Sequence, residues 1–168
     1  MVIACASTRR IARIAFLGAL VFAVSARPAR ADVTAFLGLT PTPDNRITRG
    51  FAGGLSLVIV GFEFEVADTP EDTVKTLPQL RTWSGNVLVQ TPIEVSGVSF
   101  YATAGAGGYQ EGLLGHTETN VSVNTGGGAK IRIAGPLRVR LDYRVFKLQG
   151  DPIYQTYHRF YAGANIAF

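Results

Sequence analysis

Residues 158–168 read HRFYAGANIAF, from His158 to Phe168, and decide the fold. Side chains of a β-strand alternate between two faces, so apolar residues at every second position predict a strand with one apolar face. An ordinary last strand of a soluble β domain would show the same alternation, so the pattern alone leaves the surroundings of the strand open. The apolar face comprises Phe160, Ala162, Ala164, Ile166 and Phe168, and the other face comprises Arg159, Tyr161, Gly163 and Asn165.

Period-two segments recur from residue 32 onward, and no stretch there shows the 3.6-residue apolar period of a helix. The predicted connections alternate between long and short, as expected when only one rim of a membrane barrel is elaborated. The sequence therefore predicts an all-β, eight-stranded antiparallel up-and-down barrel. Its predicted strands are residues 32–40, 51–59, 61–67, 84–91, 98–107, 121–133, 137–147 and 158–168. Its long connections are 41–50, 68–83, 108–120 and 148–157, and its short ones are 60–61, 92–97 and 134–136.

The two faces of these strands differ in charge: one is apolar without a charged residue, and the other carries acids and bases. A soluble barrel would bury the apolar face, whereas a membrane barrel turns it to lipid. Aromatic residues near the strand ends, strands near the ~9–11 residues that cross a bilayer, and closure without a free edge all favour lipid. The inferred interior charges are Glu63, Glu65, Lys130, Arg132, Arg138, Arg140, Asp142, Arg144 and Arg159.

An eight-stranded barrel has room for little more than its own side chains. The interior could be a charged channel or a packed plug in which Glu63, Glu65 and Asp142 neutralise Arg132, Arg138, Arg140, Arg144 or Arg159. The plug is favoured, because charges buried without partners cost several kcal/mol each. Inward glycines would make room for the long side chains: Gly54, Gly105, Gly107, Gly126, Gly128 and Gly163.

Residues 1–31 have the parts of a secretory signal peptide: a basic start without acids, an apolar run at 14–24, and the triplet Ala29-Arg30-Ala31. The run is shorter than the ~20 residues that a transmembrane helix needs. We predict cleavage between Ala31 and Asp32, which leaves one domain at 32–168. That domain has 11 basic and 12 acidic residues, so the basic charge of the precursor gives no reason to expect nucleic-acid binding. The single cysteine, Cys5, leaves with the signal peptide.

Residues able to carry out chemistry are sparse. The two histidines, His116 and His158, lack neighbours at metal-ligand spacing apart from Glu118, which is too little for a zinc site. The run Gly126-Gly127-Gly128 lacks the Lys-Ser/Thr of a phosphate loop, and its expected role is to let a strand curve. We predict no cofactor and no metal.

The chain resembles the small eight-stranded outer-membrane β-barrels typified by outer membrane proteins A and X and the opacity-like surface antigens. The resemblance rests on the Ala29-x-Ala31 signal, on residues 126–146 (GGGAKIRIAGPLRVRLDYRVF) and on the final YAGANIAF. In that family the barrel assembly machinery reads a terminal signal. The matching positions here are Tyr161, Gly163, Ile166 and Phe168.

The resemblance implies a location in the bacterial outer membrane, with termini in the periplasm and contact with lipid and lipopolysaccharide. Periplasmic chaperones and the assembly machinery would be partners during biogenesis. Three roles are open: a structural or surface-recognition role through four external loops with an unknown ligand, narrow transport of hydrophobic or ionic solutes, and lipid modification. Lipid A deacylases of this fold place Ser two residues after a His, where this chain has Glu118 and Phe160. We therefore predict a non-enzymatic protein with the first role.

Overall fold

The computed structural model describes residues 30–168, which form eight antiparallel strands closed into a barrel. Each strand pairs with its neighbour in the sequence, and the first pairs with the last to complete the ring. This confirms the fold predicted from the period-two segments. The strands are β1 (Arg30–Thr40), β2 (Arg46–Leu57), β3 (Val60–Thr69), β4 (Gln79–Gln90), β5 (Val98–Leu113), β6 (His116–Ala134), β7 (Leu137–Leu148) and β8 (Thr156–Ala167).

The barrel has two different ends. The turn end carries residue 30, residue 168 and the connections 58–59, 91–97 and 135–136, whereas the loop end carries 41–45, 70–78, 114–115 and 149–155. Within residues 30–168 we find no helix with the length and apolar character needed to span a bilayer.

The outer face of the barrel is apolar and its interior is charged. Phe51, Phe64 and Leu141 point outward with 68%, 56% and 46% of their surface exposed, while Arg140 and Glu65 are buried inside. Soluble proteins rarely expose an apolar surface that surrounds the whole molecule, so this arrangement fits hydrocarbon. On β3, β5, β6, β7 and β8 the apolar face inferred from the sequence is the outward one.

Outward aromatic residues gather near the turn end, where Phe62, Phe100 and Phe168 lie, as in the girdle at a membrane interface. Trp83 and Phe160 are each the fifth residue from the loop end of β4 and β8, and Phe51, Phe64 and Tyr143 lie near the middle of their strands.

The prediction of a long connection at residues 108–120 is wrong. Strands β5 and β6 continue to Leu113 and His116, and only Leu114 and Gly115 form the turn. The residues beyond Asn120 towards the tip are largely polar on both faces, because neither face needs to contact hydrocarbon there. The apolar period therefore disappears although the backbone pairing continues. The predicted alternation of long and short connections is also not kept, since 91–97 is longer than 114–115.

The seam between β1 and β8 includes residues at both ends of the described chain. Ala31 N donates to the carbonyl oxygen of Phe168 at 3.0 Å, and Phe168 N donates back to that of Ala31 at 2.9 Å. Ala29 and the rest of the predicted signal peptide up to it lie outside the described residues. Cleavage after Ala31 stays a prediction, and it would leave Asp32 and Ala167 as the first registered pair of the seam.

Candidate functional site

The inward faces of β3, β7 and β8 bring six charged side chains together in the middle of the barrel. None is more than 5% exposed. Three acids meet three arginines, so this group, the central charge layer, has no net charge when all six are ionised. Its members are Glu63, Glu65, Arg140, Asp142, Arg144 and Arg159.

Glu63 connects the first two arginines of the layer. Its Oε2 accepts a short hydrogen bond from Nη1 of Arg140, and its Oε1 accepts from Nη2 of Arg140 at 3.2 Å. The same Oε1 accepts from Nη2 of Arg144 at 2.7 Å. One carboxylate therefore holds two guanidinium groups by charge-assisted bonds, which are the strong ones in proteins.

Asp142 is the second node of the layer, and two tyrosines complete its surroundings. Its carboxylate accepts from Nη2 of Arg140 at 3.0 Å and from Nε of Arg144 at 3.1 Å. The hydroxyl groups of Tyr101 and Tyr161 also donate to Asp142, and Nε of Arg140 donates to the Tyr101 oxygen at 2.7 Å. Burial of these charges is tolerable because nearly every polar atom has a partner.

Glu65 links the layer to the loop end. It lies 3.2 Å from Nη1 of Arg144 and accepts a hydrogen bond from Nη1 of Arg159 at 3.1 Å. Arg159 also donates to the hydroxyl of Thr82 at 3.0 Å, and its guanidinium carbon lies 4.4 Å from the ring centre of Phe146. The layer thus passes directly into an apolar cluster.

That apolar cluster, the loop-end cluster, fills the interior above the central charge layer. Tyr109, Phe146 and Leu80 are fully buried within it. The hydroxyl of Tyr157 donates to Oε1 of Glu111 at 2.6 Å, so the ring is fixed in place. A packed apolar cluster inside a barrel excludes water from that section. The cluster comprises Leu80, Tyr109, Phe146, Leu148 and Tyr157, with Tyr154 packed against it.

Two inward glycines allow the tyrosines to reach the layer. A Cβ at Gly128 would lie 2.5 Å from the Tyr101 hydroxyl, so a larger residue there would displace that ring. A Cβ at Gly163 would lie 2.9 Å from Cβ of Phe36, whose ring stacks on Tyr161 at 4.0 Å. In the predicted terminal signal, Tyr161 and Gly163 therefore face the interior. Ile166 and Phe168 face outward.

Three of the nine predicted interior charges lie outside the central charge layer. Lys130 forms a buried ion pair with Asp32, the residue that follows the predicted cleavage site. Arg132 and Arg138 both contact Glu94, in the turn-end connection 91–97. Of the five arginines offered as alternative partners of Glu63, Glu65 and Asp142, three contact these acids in the central charge layer. Strand register places the other two, Arg132 and Arg138, at the mouth of the barrel.

A cavity of about 420 Å³ opens at the turn end beside these groups. Alternation with Val33 and Ala35 places Asp32 on the inward face of β1, whereas Glu94 lies in a connection where no alternation applies. Neither residue carries a signal in the sequence that pairs it with a particular base. Among the charged side chains of the lining are Asp32, Glu94, Lys130, Arg132 and Arg138.

The loops at the loop end contact one another. Nζ of Lys75, in 70–78, donates a hydrogen bond to the Asp44 carboxylate in 41–45. That bond lowers the pKa of Asp44 below its ordinary value and raises the pKa of Lys75, so the contact persists until the pH falls through the lowered pKa of Asp44. A further bond runs from the backbone of Leu114 to Glu71 at 3.2 Å. The loops therefore form a connected rim.

The two histidines lie apart. His116 is exposed at the tip of the β5–β6 hairpin, and His158 lies on the outer face of β8, where its Nδ1 is 2.8 Å from the Tyr143 hydroxyl. The outward position before His158 is occupied by Thr156 and the one after it by Phe160. Within residues 30–168 no group of three His, Cys, Asp or Glu side chains is arranged to hold a metal ion.

Comparisons with known proteins rest on structure alone, since no family model and no curated protein sequence matches the chain. The N-terminal β-barrel domain of Pseudomonas aeruginosa OprF superposes with a TM-score of 0.64 and 12% identity, covering 83% of this chain and 97% of that one. Neisserial surface protein A (NspA) gives the same TM-score and identity, with 83% and 96% covered. The outer membrane enzyme PagL gives 0.52 and 13%, with 80% and 98% covered.

Such likenesses extend over nearly the whole of each compared barrel, and they include both an enzyme and proteins not described as enzymes. At these identities they establish the fold and leave the activity open. With its closed ring of eight antiparallel strands, apolar outer face and charged interior, this chain has the fold of the small eight-stranded outer-membrane β-barrels.

Proposed function

We propose that the protein is a bacterial outer-membrane barrel with a sealed interior and that it acts through its external loops, in a structural or surface-recognition role. The observation that carries the proposal is the filled lumen. The central charge layer, neutral and hydrogen-bonded, is followed directly by the loop-end cluster. Because the lumen is filled, solutes would not pass through it, and contacts with external molecules would be made at the rim.

Placement in the outer membrane is supported by the apolar outer face, with aromatic residues gathered near its turn end. We propose that the turn end lies in the periplasm, since the longest loop and the long β5–β6 hairpin are at the other end. Membrane lipid and lipopolysaccharide would then surround the barrel. Barrel assembly machinery and periplasmic chaperones would deliver it, with Tyr161, Gly163, Ile166 and Phe168 as the recognised terminal signal.

The external rim has the character of a recognition surface. Val74, Leu114 and Ile153, on three different connections, are 93%, 68% and 51% exposed. Contacts between Asp44 and Lys75 and between Glu71 and Leu114 hold the loops together. Functional contacts are commonly made by loops that a rigid scaffold positions. We propose that an external ligand binds at this rim.

The sealed interior can be tested by conductance. Purified protein refolded in a planar bilayer is expected to give no stable ion-conducting steps, because the central charge layer and the loop-end cluster occupy the lumen. Heat-modifiable migration in a detergent gel should show beforehand that the sample is a folded barrel. Stable steps that disappear when Gly128 is replaced by a bulky residue would favour the transport role instead.

Export can be tested by mass spectrometry of the protein recovered from outer membranes. We expect the mature chain to begin at Asp32, because Ala29-Arg30-Ala31 has the small residues that signal peptidase requires. Replacing Ala31 by a bulky residue such as Leu should slow the cleavage, whereas the same change at Ala35 should not. Recovery of a chain that begins at Met1 would contradict the proposal.

A further inference from the structure

A groove of about 730 Å³ runs along the outer face of the barrel across β1, β2, β3, β7 and β8. Its floor is formed by three alanines, Ala35, Ala162 and Ala164, at positions where neighbouring strands carry larger side chains. Leu37 and Phe51, which are 66% and 68% exposed, border it.

Strand register explains why the surface is hollow here. Ala35 pairs with Ala164 across the β1–β8 seam, so two adjacent strands present only methyl groups. On one side Ala35 pairs with Phe51, and on the other side Ala164 pairs with Val139. The result is a slot, two strands wide, between larger apolar side chains.

The groove changes character along its length. Val139 is the third residue of β7 and lies towards the turn end, where the lining is apolar. Arg49 and Asp68 also line the groove, and Asp68 is the last residue but one of β3 at the loop end. An apolar slot that ends in charged side chains at the loop side matches the shape of a lipid, with its chain in the membrane and its head at the interface.

The charged end of the groove carries a positive excess. Asp68 lies between Arg49 and Arg81 in the register of β2, β3 and β4. Its carboxylate accepts hydrogen bonds from Nε of Arg81 at 3.4 Å and from the Gln79 side chain at 3.0 Å. Nη2 of Arg49 is 3.7 Å away from Asp68, too far for a hydrogen bond, and its side chain is 71% exposed. The guanidinium of Arg49 therefore keeps donors available for another anion.

We propose that this groove binds a phosphate-bearing membrane lipid, with one acyl chain along Ala35, Ala162 and Ala164 and the phosphate at Arg49. Arginine suits this role because its planar set of donors matches phosphate oxygens in a bidentate manner. A zwitterionic or neutral lipid would fill the slot equally well but would gain less from the excess charge. The proposal rests on the proposed membrane location of the barrel.

A tryptophan placed beside the groove allows a direct test. Phe51 pairs with Ala35 and borders the groove, so in a Phe51→Trp, Trp83→Phe protein a brominated acyl chain held along the alanines should quench the fluorescence of residue 51. The refolded protein is placed in phosphatidylcholine vesicles in which either phosphatidylglycerol or phosphatidylcholine carries the bromine. We expect the anionic lipid to bind roughly two- to fivefold more strongly, the range of an exposed ion pair.

Matched variants separate the groove from the general surface. Arg49→Gln should bring the ratio of phosphatidylglycerol binding to phosphatidylcholine binding to about one. Lys147→Gln, which removes an outward cation at the loop end of β7, should leave this ratio unchanged. Ala164→Leu should also lower the ratio by filling the floor.

Three outcomes would overturn the inference. Equal quenching by both brominated lipids would exclude a specific site while leaving the membrane location supported. Absence of quenching by either lipid would contradict the membrane location as well. Loss of the anionic preference on adding millimolar inorganic phosphate would mean that the charged end binds a free anion and that the acyl chain contributes nothing.

Discussion

Replacing Glu63 by Ala is expected to destabilise the barrel by about 3–5 kcal/mol, the cost of leaving buried charges without their partner. Glu63 is the acid that contacts both Arg140 and Arg144, and neither arginine can reach water from the middle of the barrel. Unfolding in urea, followed by Trp83 fluorescence with the protein in lipid vesicles, would measure the change in the free energy of unfolding.

The matched control is Glu94→Ala, which also removes a carboxylate from two arginines. Glu94 is 23% exposed and its partners Arg132 and Arg138 are 49% and 13% exposed beside a cavity that opens at the turn end, so water can replace the lost contacts. We expect a loss of no more than about 1 kcal/mol. A loss of no more than about 1 kcal/mol for Glu63→Ala as well would show that the central charge layer is hydrated. The proposal of a sealed interior would then fail.

Leu141→Arg should cost about 2–4 kcal/mol, the penalty for a cation that faces lipid near the middle of the bilayer. Leu141 is 46% exposed on the outer face of β7, next to the inward Asp142. Leu141→Phe should be nearly silent, because lipid can accommodate the additional volume. In the close-packed core of a soluble barrel the same enlargement would typically cost about 1–3 kcal/mol.

The same unfolding titration in vesicles measures both Leu141 variants. A costly Leu141→Phe would mean that this face packs against protein and not against lipid, and a silent Leu141→Arg would mean that it faces water. The membrane location and the lipid groove would then both be withdrawn, although the barrel topology would stand.

The fold was predictable from the sequence because each membrane-facing strand must alternate between lipid and lumen. That constraint marks Glu63 and Arg140 as inward and Leu141 as outward without any knowledge of their partners. It no longer applies where both faces of a strand meet water. The outer part of the β5–β6 hairpin therefore resembled a loop in the sequence, although Glu111 pairs with Glu118 in a regular ladder.

The composition of the interior was predictable, but its pairing was not. Which acid meets which arginine depends on the register between strands distant in the sequence, and register leaves no trace in a single strand. Lys130 and Asp32 are 98 residues apart and meet only because the barrel closes. The groove was hidden for a related reason, since Ala35 and Ala164 become neighbours only through the β1–β8 seam.

The length of the β5–β6 hairpin makes the protein a candidate scaffold for displaying peptides. Beyond the pair Tyr109 and Asn120 the two strands remain in register for four more residues, up to the turn at Leu114 and Gly115. At ~3.4 Å per residue, this extension carries the turn over 10 Å farther along the strands. A tag inserted between Leu114 and Gly115 would be held at the end of a hydrogen-bonded arm, far from the strand pairs that close the barrel.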